Sequence, residues 1–127
     1  QLASVCTIDD DGQPYAFSAF YAFDELNFCL LLASSDESSH VKFLKNSKLV
    51  AGTVALDPKI VGKIEGVQFQ GAMREASESE REIYFKRFFY AKAMDPKIWS
   101  ISLEKVKFTS NTLGFGKKIK WERGDKI

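Results

Sequence analysis

The sequence has 127 residues, of which 45% are hydrophobic, and its 18 basic and 17 acidic residues leave a formal net charge of +1. A chain of this length forms one domain, residues 1–127, that buries roughly two thirds of its unfolded surface. The near-neutral charge excludes a global electrostatic field that attracts nucleic acid or an anionic membrane, so any anion-binding site must be local.

Cysteine and histidine are too scarce for a disulfide framework or a zinc site. Cys6 and Cys29 each lie in an apolar run, which predicts buried thiols in a reducing compartment. His40 is the only histidine, so a zinc site would need carboxylate ligands, and we expect no metal. No apolar run reaches the ~18 residues that span a bilayer, and no signal-peptide pattern is found. We therefore expect a cytoplasmic protein without a membrane or nucleic-acid partner.

The first third of the sequence predicts three antiparallel strands. Residues 2–8 form an apolar, β-branched run, and residues 9–14 contain the Asp, Gly and Pro of a hairpin loop. Large and small side chains alternate along residues 15–23, as in a barrel wall, and a turn at Asp24 leads to a third strand at 26–33. One face of that third strand carries large apolar side chains, at Leu26, Phe28, Leu30 and Leu32.

The middle of the sequence predicts a short helix and two further strands. Residues 34–39 are polar and rich in helix-capping types, and the apolar spacing in 40–45 predicts a helix that starts at the serines. Residues 49–56 and 64–73 have the composition of strands. The second strand contains glycines that favour a bulge or a close backbone approach, Gly66 and Gly71.

A longer helix is predicted after these strands. Ser77 and Glu80 have the spacing of a capping box, and the helix runs through Met94 until Pro96 stops it. Its apolar stripe consists of Tyr84, Phe85, Phe88 and Ala91.

The last part of the sequence predicts a long strand with one irregularity. Alternation slips along residues 98–108, which predicts a bulge or corner near Glu104. Residues 119–121 favour an edge strand. The C-terminal part is basic and typical of a solvated sheet edge, with Lys105, Lys107, Lys117, Lys118, Lys120, Arg123 and Lys126 against only Glu122 and Asp125. Six or seven antiparallel strands with two late helices predict an α+β domain, mainly β, that closes into a barrel.

Catalytic motifs are largely excluded, which leaves one segment of chemical interest. A Ser-His-Asp site would depend on His40, whose neighbouring serines have the spacing of a helix cap. From Ser34 to Lys42, hydroxyls and the backbone N–H groups of a helix start converge, which suits a phosphate. The alternative is an ordinary N-cap, because Asp36 and Glu37 in the same loop oppose an anion.

The order of elements resembles a known family. The Pro14-led strand, the turn at Asp24, the Ser38-x-His40 helix start and the Gly71 strand before a helix are similar to the flavin-binding split barrel of the pyridoxamine phosphate oxidases. Four blocks resemble more narrowly a bacterial branch of that superfamily, the YhbP-like proteins: AFYAFD (19–24), VAGTV (50–54), GVQF (66–69) and KFTSNTLGFGKK (107–118).

The resemblance implies an antiparallel split barrel of six to seven strands, with a short helix after strand 3 and a longer helix before the last long strand. It implies FMN at a homodimer interface, with the isoalloxazine ring along Ala19, Phe20 and Tyr21. The FMN phosphate is then expected at the serine-rich helix start, formed by Ser34, Ser35, Ser38, Ser39, His40 and Lys42.

Further side chains complete the site that the resemblance implies. Thr53 and Gln68 are candidate donors to the edge of the ring, while Trp121 and Arg123 would close the slot from the partner chain. Each also has a structural interpretation, as a strand, core or surface residue. The choice between these readings stays open at the level of the sequence.

His40 introduces an alternative cofactor. In the split-barrel oxidases a lysine commonly stands at this position, so a fixed positive charge is replaced by one that titrates near neutrality. Some split-barrel relatives bind haem, and histidine is a common ligand of haem iron. The resemblance therefore implies FMN as the main cofactor and haem as the alternative.

Two functions remain as hypotheses. The first is an FMN-dependent oxidoreductase that passes electrons from a reduced nucleotide or other donor to a small-molecule substrate. The second is a non-catalytic protein that stores or senses a flavin or haem. The acidic residues beside the serines and the replacement at His40 favour the second, whereas turnover with a reduced nicotinamide would favour the first.

Overall fold

A computed structural model of the chain describes residues 2–55, 65–110 and 117–124. Its strands are β1 (Leu2–Ile8), β2 (Pro14–Phe20), β3 (Ala22–Asp24), β4 (Cys29–Ala33), β5 (Leu49–Ala55), β6 (Glu65–Glu75), β7 (Ile98–Ser110) and β8 (Lys117–Glu122). Its helices are α1 (Ser39–Phe43), α2 (Glu78–Arg87) and a 3₁₀ helix at Phe89–Met94. The predicted strand ends at Leu56 and Ile64 lie outside the described residues.

The described strands form one antiparallel sheet in the order β2–β1–β5–β6–β7–β4–β3, with β8 paired to β7. The two ends of this order, β2 and β3, are consecutive in the chain and separated by Tyr21. One stretch of chain therefore pairs with β1 at its start and with β4 at its end, which curls the sheet into a split barrel. The predicted fold class is confirmed, and the described residues contain eight strands because the 15–23 run is interrupted at Tyr21.

The third predicted strand begins later than its apolar pattern indicates. Phe28 has a φ of 52°, in the left-handed region, and Leu26 is 87% exposed in the preceding turn, so the strand prediction was wrong for Leu26. The Asp24 carboxylate fixes this turn by accepting hydrogen bonds from the Leu26 backbone N–H at 3.1 Å and the Asn27 side chain at 2.9 Å. Regular pairing therefore starts at Cys29.

Strand β4 is buried on both faces because it separates two apolar clusters. Leu30 and Leu32 point into the barrel core, whereas Cys29 and Leu31 pack beneath α2. Cys29 is buried as predicted, but Cys6 is only half-buried, because its side of β1 faces outward. The apolar stripe predicted for the second helix is confirmed, because its four residues pack in the same apolar cluster as Cys29 and Leu31: Tyr84, Phe85, Phe88 and Ala91.

The irregularity predicted near Glu104 is confirmed. Gln70 pairs with Lys105 and Gly71 pairs with Leu103, so Glu104 is the extra residue of a bulge. A Cβ on Gly71 would collide with the Ser102 carbonyl oxygen, which confirms the close backbone approach.

The helices differ from their predicted bounds at the C-terminal ends. The capping box of α2 is confirmed, with Ser77 Oγ accepting from the Glu80 N–H and Glu80 Oε1 accepting from the Ser77 N–H. The α-helix ends at Arg87, and the remainder of the run to Met94 is 3₁₀. None of the helices in the described ranges is long and apolar enough to cross a membrane.

A buried carboxylate ties α2 to the sheet. Glu80 accepts hydrogen bonds from Arg74 at 2.7 Å and from the Ser100 hydroxyl at 2.6 Å, in addition to its role in the capping box with Ser77. Burial alone would raise the pKa of Glu80, but these hydrogen bonds outweigh it and lower the pKa to about 2. The charge of Glu80 is therefore matched by donors on β6, β7 and its own helix.

Candidate functional site

His40 is held between two neighbours at the start of α1. Its Nε2 lies 2.5 Å from Ser34 Oγ, and its ring stacks on Phe17 of β2 with 3.7 Å between centroids and 11° between planes. Burial lowers the pKa of His40 below its usual value of 6.5. The imidazole is therefore mainly neutral at pH 7, and it supplies this segment with a hydrogen-bonding group rather than a fixed positive charge.

The loop before α1 is tied to the start of β7. Trp99 Nε1 donates to the Ser34 carbonyl oxygen at 3.0 Å, and the Ser34 N–H donates to the Lys97 carbonyl oxygen at 3.1 Å. Lys97 Nζ also lies 2.9 Å from the Asp36 carboxylate, so this acidic residue is already paired. The roles of Trp99, Lys97 and Phe17 at this segment were not predicted, because their contacts join positions far apart in the chain.

The remaining serines of this segment shape the loop. Ser35 Oγ accepts from the Glu37 backbone N–H at 3.1 Å, and Ser38 occupies the N-cap of α1 without a capping hydrogen bond from its side chain. Ser39 and Lys42 are exposed on the first turns of α1. Hydroxyls and backbone N–H groups therefore do meet here, around a helix of only five residues.

The three residues predicted along a flavin ring lie at the break between β2 and β3, on different faces. Ala19 and Tyr21 pack against the barrel core, whereas Phe20 points outward and is 60% exposed. Phe20 pairs with Leu2 of β1, which is 51% exposed, so the two form an apolar patch on the outer edge of the sheet.

Tyr21 lines an apolar cavity of about 300 Å³ at the mouth of the barrel. Burial raises the pKa of Tyr21 despite the nearby Arg87 charge. Phe28, another lining residue, stacks on Trp121 with 4.8 Å between centroids. Within the described part of the chain, the buried Trp121 Nε1 finds no hydrogen-bond acceptor.

Arg123 donates to the carbonyl oxygens of Leu103, Asn27 and Phe28, so it stabilises the turn before β4 within its own chain.

Thr53 and Gln68 come together on the outer face of the sheet. They are direct partners in the β5–β6 pairing, and both side chains are exposed. Along the same row, Gln68 pairs with Lys107 of β7, and Lys107 pairs with Lys120 of β8. These residues line a groove of about 540 Å³ that we call the lysine groove, formed mainly by Thr53, Gln68, Gln70, Lys105, Lys107 and Lys120, with Trp121 at one side.

The outer face of the sheet beside the lysine groove carries a patch of small side chains, which we call the floor. Ser4 of β1 pairs with Ser18 on one side and Thr53 on the other, and Cys6 pairs with Ala16 and Ala51 in the next row. Between these two rows Gly52 pairs with Val5 and Phe69, which face the core, and a Cβ on Gly52 would collide with the Ser4 carbonyl oxygen and the Phe69 ring. Glycine therefore lets the strands lie close beneath the floor.

The structure thus distributes the predicted site residues over several parts of one chain, with Phe20 in an outer patch, Tyr21 in the apolar cavity and Arg123 at the turn before β4. Thr53, Gln68 and Trp121 share the lysine groove, whereas the segment from Ser34 to Lys42 packs against β2 and the start of β7 and contributes no residue to that groove.

Comparison with known proteins gives a family relationship by sequence and a fold relationship by structure. No family model matches the chain. The chain is 40% identical over 120 residues to UPF0306 protein YhbP of Salmonella paratyphi A, a match that covers 91% of this chain and 82% of that protein.

Several solved structures share the fold, among them a haem-binding and a FAD-binding protein. A haem-binding protein from Mycobacterium smegmatis superposes with a TM-score of 0.78 at 15% identity, over 95% of this chain and 52% of that chain. A FAD-binding protein from Mesorhizobium loti superposes with a TM-score of 0.69 at 16% identity, over 84% of this chain and 81% of that chain. At these identities the likeness establishes the fold alone.

Proposed function

The chain belongs to the YhbP (UPF0306) family, and we propose that it is a flavin-binding split-barrel protein of the pyridoxamine phosphate oxidase superfamily that holds FMN between two copies of itself. The observation that carries this proposal is the floor of small side chains next to Thr53 and Gln68. A flavin requires a flat slot, donors at the ring edge and an anion clamp, and little else from the protein. The similarity to a FAD-binding protein supports this proposal. The same proposal places the protein in the cytoplasm, which its two free cysteines suit.

Residues of this chain supply each of those three requirements. Small residues of β1, β2 and β5 form the floor, and the Thr53 hydroxyl and Gln68 amide act on the ring edge. The Ser38, Ser39 and Lys42 region of the partner clamps the phosphate through hydroxyl and N–H groups, with His40 as a neutral member. The bound flavin supplies the redox chemistry, in which electrons pass from a reduced nucleotide to a small-molecule substrate.

Dimerisation is part of the proposal because one chain leaves the floor open. The exposed patch of Phe20 and Leu2 lies at the edge of the floor, where a second copy would cover both the patch and the cofactor. Phe20→Glu should therefore yield a monomer in light scattering and abolish FMN binding. The control is Phe89→Glu, which changes an exposed aromatic residue outside the sheet and should leave the dimer intact. A dimeric Phe20→Glu variant would contradict this interface.

The visible absorption spectrum of the purified protein tests the cofactor, and oxidation of a reduced nicotinamide tests the activity. Flavin bands together with turnover would support the oxidoreductase. Flavin bands without turnover with any reduced nicotinamide would contradict catalysis and leave a flavin-storage protein. A spectrum without flavin, unchanged by added FMN, would contradict the proposal itself.

Haem storage is the second candidate, and the neutral His40 favours it. A histidine must be neutral to ligate iron, and burial already lowers its pKa. Nε2 is hydrogen-bonded to Ser34, so ligation through this atom requires that bond to break. Ser34→Ala should then strengthen haem binding in a spectroscopic titration, whereas FMN affinity should fall or stay unchanged. An unchanged haem affinity in both Ser34→Ala and His40→Ala would contradict a role of His40 in haem binding.

A further inference from the structure

The apolar cavity at the mouth of the barrel lies on the opposite side of the sheet from the floor. Val54 and Val67 line the cavity and pack with the barrel core, whereas their sequence neighbours Thr53 and Gln68 are exposed on the outer face. The cavity measures about 300 Å³, and aromatic side chains make up much of its wall: Tyr21, Phe23, Phe28, Phe69 and Phe108. The inner face therefore offers a space that is separate from the floor.

Phe28 joins the wall of this cavity from a strained backbone conformation. Its φ of 52° is uncommon for a residue that has a Cβ. The Phe28 carbonyl oxygen accepts hydrogen bonds from the Leu103 N–H at 3.1 Å and from Arg123 Nη2 at 3.0 Å, so two strands of the barrel hold this conformation. The Phe28 ring meets the Phe23 ring edge-on, with 5.9 Å between centroids. Backbone strain of this kind clusters at ligand-binding sites, and here it places an aromatic ring at a cavity wall.

The wall of the cavity suits an uncharged ligand. Tyr21 supplies the one polar side-chain atom among the described lining residues, and a phenolic hydroxyl both donates and accepts hydrogen bonds. Arg87, whose charge acts on Tyr21, is exposed on α2 and is not one of the described lining residues. A carboxylate or phosphate inside the cavity would lose its hydration without gaining an ionic partner.

The volume of the cavity selects ligands by size. An apolar cavity of about 150 Å³ holds benzene, so one of about 300 Å³ suits two fused rings. Haem and a complete FMN molecule are too large for this space. Aromatic walls favour an aromatic ligand, because edge-to-face and offset-stacked contacts add to the burial of apolar surface.

We propose that the apolar cavity binds an uncharged bicyclic aromatic molecule with one polar substituent. The rings lie among Phe28, Phe69 and Phe108, and the substituent forms a hydrogen bond with the Tyr21 hydroxyl. This site goes beyond the proposed flavin function, since it lies on the other face of the sheet and takes a ligand of different size and charge.

Calorimetric titration with 2-naphthol, naphthalene and 2-naphthoate tests the polarity and charge of the ligand. Wild-type protein should bind 2-naphthol about fivefold more tightly than naphthalene, because one hydrogen bond is added, and at least about tenfold more tightly than the charged 2-naphthoate. Tyr21→Phe should lower the affinity for 2-naphthol to that for naphthalene and leave naphthalene binding unchanged.

Three outcomes of these titrations would overturn the proposal. The first is that neither 2-naphthol nor naphthalene binds to the wild-type protein. The second is an equal affinity of wild type and Tyr21→Phe for 2-naphthol. The third is tighter binding of 2-naphthoate than of 2-naphthol, which would favour an acid that Arg87 recognises.

Variants that fill the cavity locate the ligand. Val67→Phe and Val106→Phe each place a larger side chain in the cavity and should weaken 2-naphthol binding at least about tenfold. Val41→Phe makes the same change on α1, outside the described lining, and is the matched control that should bind as wild type does. Circular dichroism checks that each variant is folded, and Tyr21→Phe keeps the proposal testable where a larger side chain prevents folding. Wild-type affinity in both filled variants would overturn the proposal.

Competition with FMN separates this site from the proposed flavin site. Saturating FMN should leave the affinity for 2-naphthol unchanged, because the two ligands lie on opposite faces of the sheet. Binding of 2-naphthol by a protein that takes up no FMN would contradict the flavin proposal and support this one. Displacement of 2-naphthol by FMN would overturn this proposal, since the probe would then occupy the flavin site.

Discussion

The polar groups beneath α2 and those of the lysine groove differ in how their charges are matched. Glu80 is buried and accepts hydrogen bonds from Arg74, Ser100 and Ser77. Lys107 and Lys120 lie opposite each other on an open face, with no ion pair to a described residue. The charge of Glu80 is therefore matched at short range, whereas the like charges of Lys107 and Lys120 face each other without an ion pair to the described part of the chain.

The largest effect on the free energy of unfolding is expected when the Glu80 carboxylate is removed. Glu80→Ala leaves Arg74 and the Ser100 hydroxyl without their acceptor and should lower the free energy of unfolding by about 3 kcal/mol. Urea denaturation measures this loss. Glu82→Ala, which removes an exposed carboxylate from the same helix, is the control and should change stability little. A loss below about 1 kcal/mol for Glu80→Ala would mean that the network contributes little.

The lowered pKa of Glu80 predicts how the free energy of unfolding depends on pH. The pKa of Glu80 is about 2 in the folded chain against 4.5 for an unperturbed glutamate. Because the folded pKa is the lower one, its contribution is complete above pH 4.5 and is lost as the pH falls through about 2. This contribution amounts to about 3 kcal/mol. Glu80→Gln should abolish it, so the stability difference between wild type and variant should shrink over this range. A constant difference would contradict the lowered pKa.

An intermediate effect is expected at His40, which is paired with Ser34 but carries little charge at neutral pH. Protonation of His40 should strengthen FMN binding only below pH 6.5, so affinity should be nearly flat between neutral and alkaline pH. His40→Lys supplies a permanent charge and should tighten FMN binding by about tenfold at pH 8. Fluorescence titration measures both trends. Weaker binding by the Lys variant across the pH range would show that the stack of His40 on Phe17 matters more than charge.

The smallest effect concerns the stability of the lysine groove. Lys107→Glu converts the repulsive pair with Lys120 into an attractive one and should raise the free energy of unfolding by roughly 0.2–1 kcal/mol at low salt. The gain should disappear in molar salt, because exposed charges are screened. Denaturation at two salt concentrations measures it. A loss of stability at low salt would show that the lysines already have anionic partners.

Local signals in the sequence predicted much of the fold. The capping box at Ser77 and Glu80 and the bulge at Glu104 each depend on a few neighbouring residues, and both are confirmed. The break at Tyr21 was not predicted, because large and small side chains alternate without interruption through it. The left-handed Phe28 was also missed, since its conformation depends on the turn that Asp24 fixes.

The candidate site was less predictable, because it depends on the register between strands. The basic tail was predicted to be a solvated edge, and its composition does not reveal that Lys107 pairs with both Gln68 and Lys120. That row forms only after the bulge at Glu104 shifts the β6–β7 pairing. Likewise, the salt bridge between Asp36 and Lys97 joins residues far apart in the sequence. Because Lys97 offsets the negative charge of Asp36, this carboxylate opposes an anion near the serines less than the sequence predicts.

An FMN titration of the wild-type protein and of a Thr53→Val/Gln68→Leu double variant tests the central claim most directly. Both substitutions keep the size of the side chains and remove the groups proposed to act on the ring edge. The wild-type dimer should bind FMN and quench its fluorescence, whereas the double variant should stay dimeric but lose at least about tenfold in affinity. Equal affinities for wild type and variant would contradict a flavin site on the outer face of the sheet.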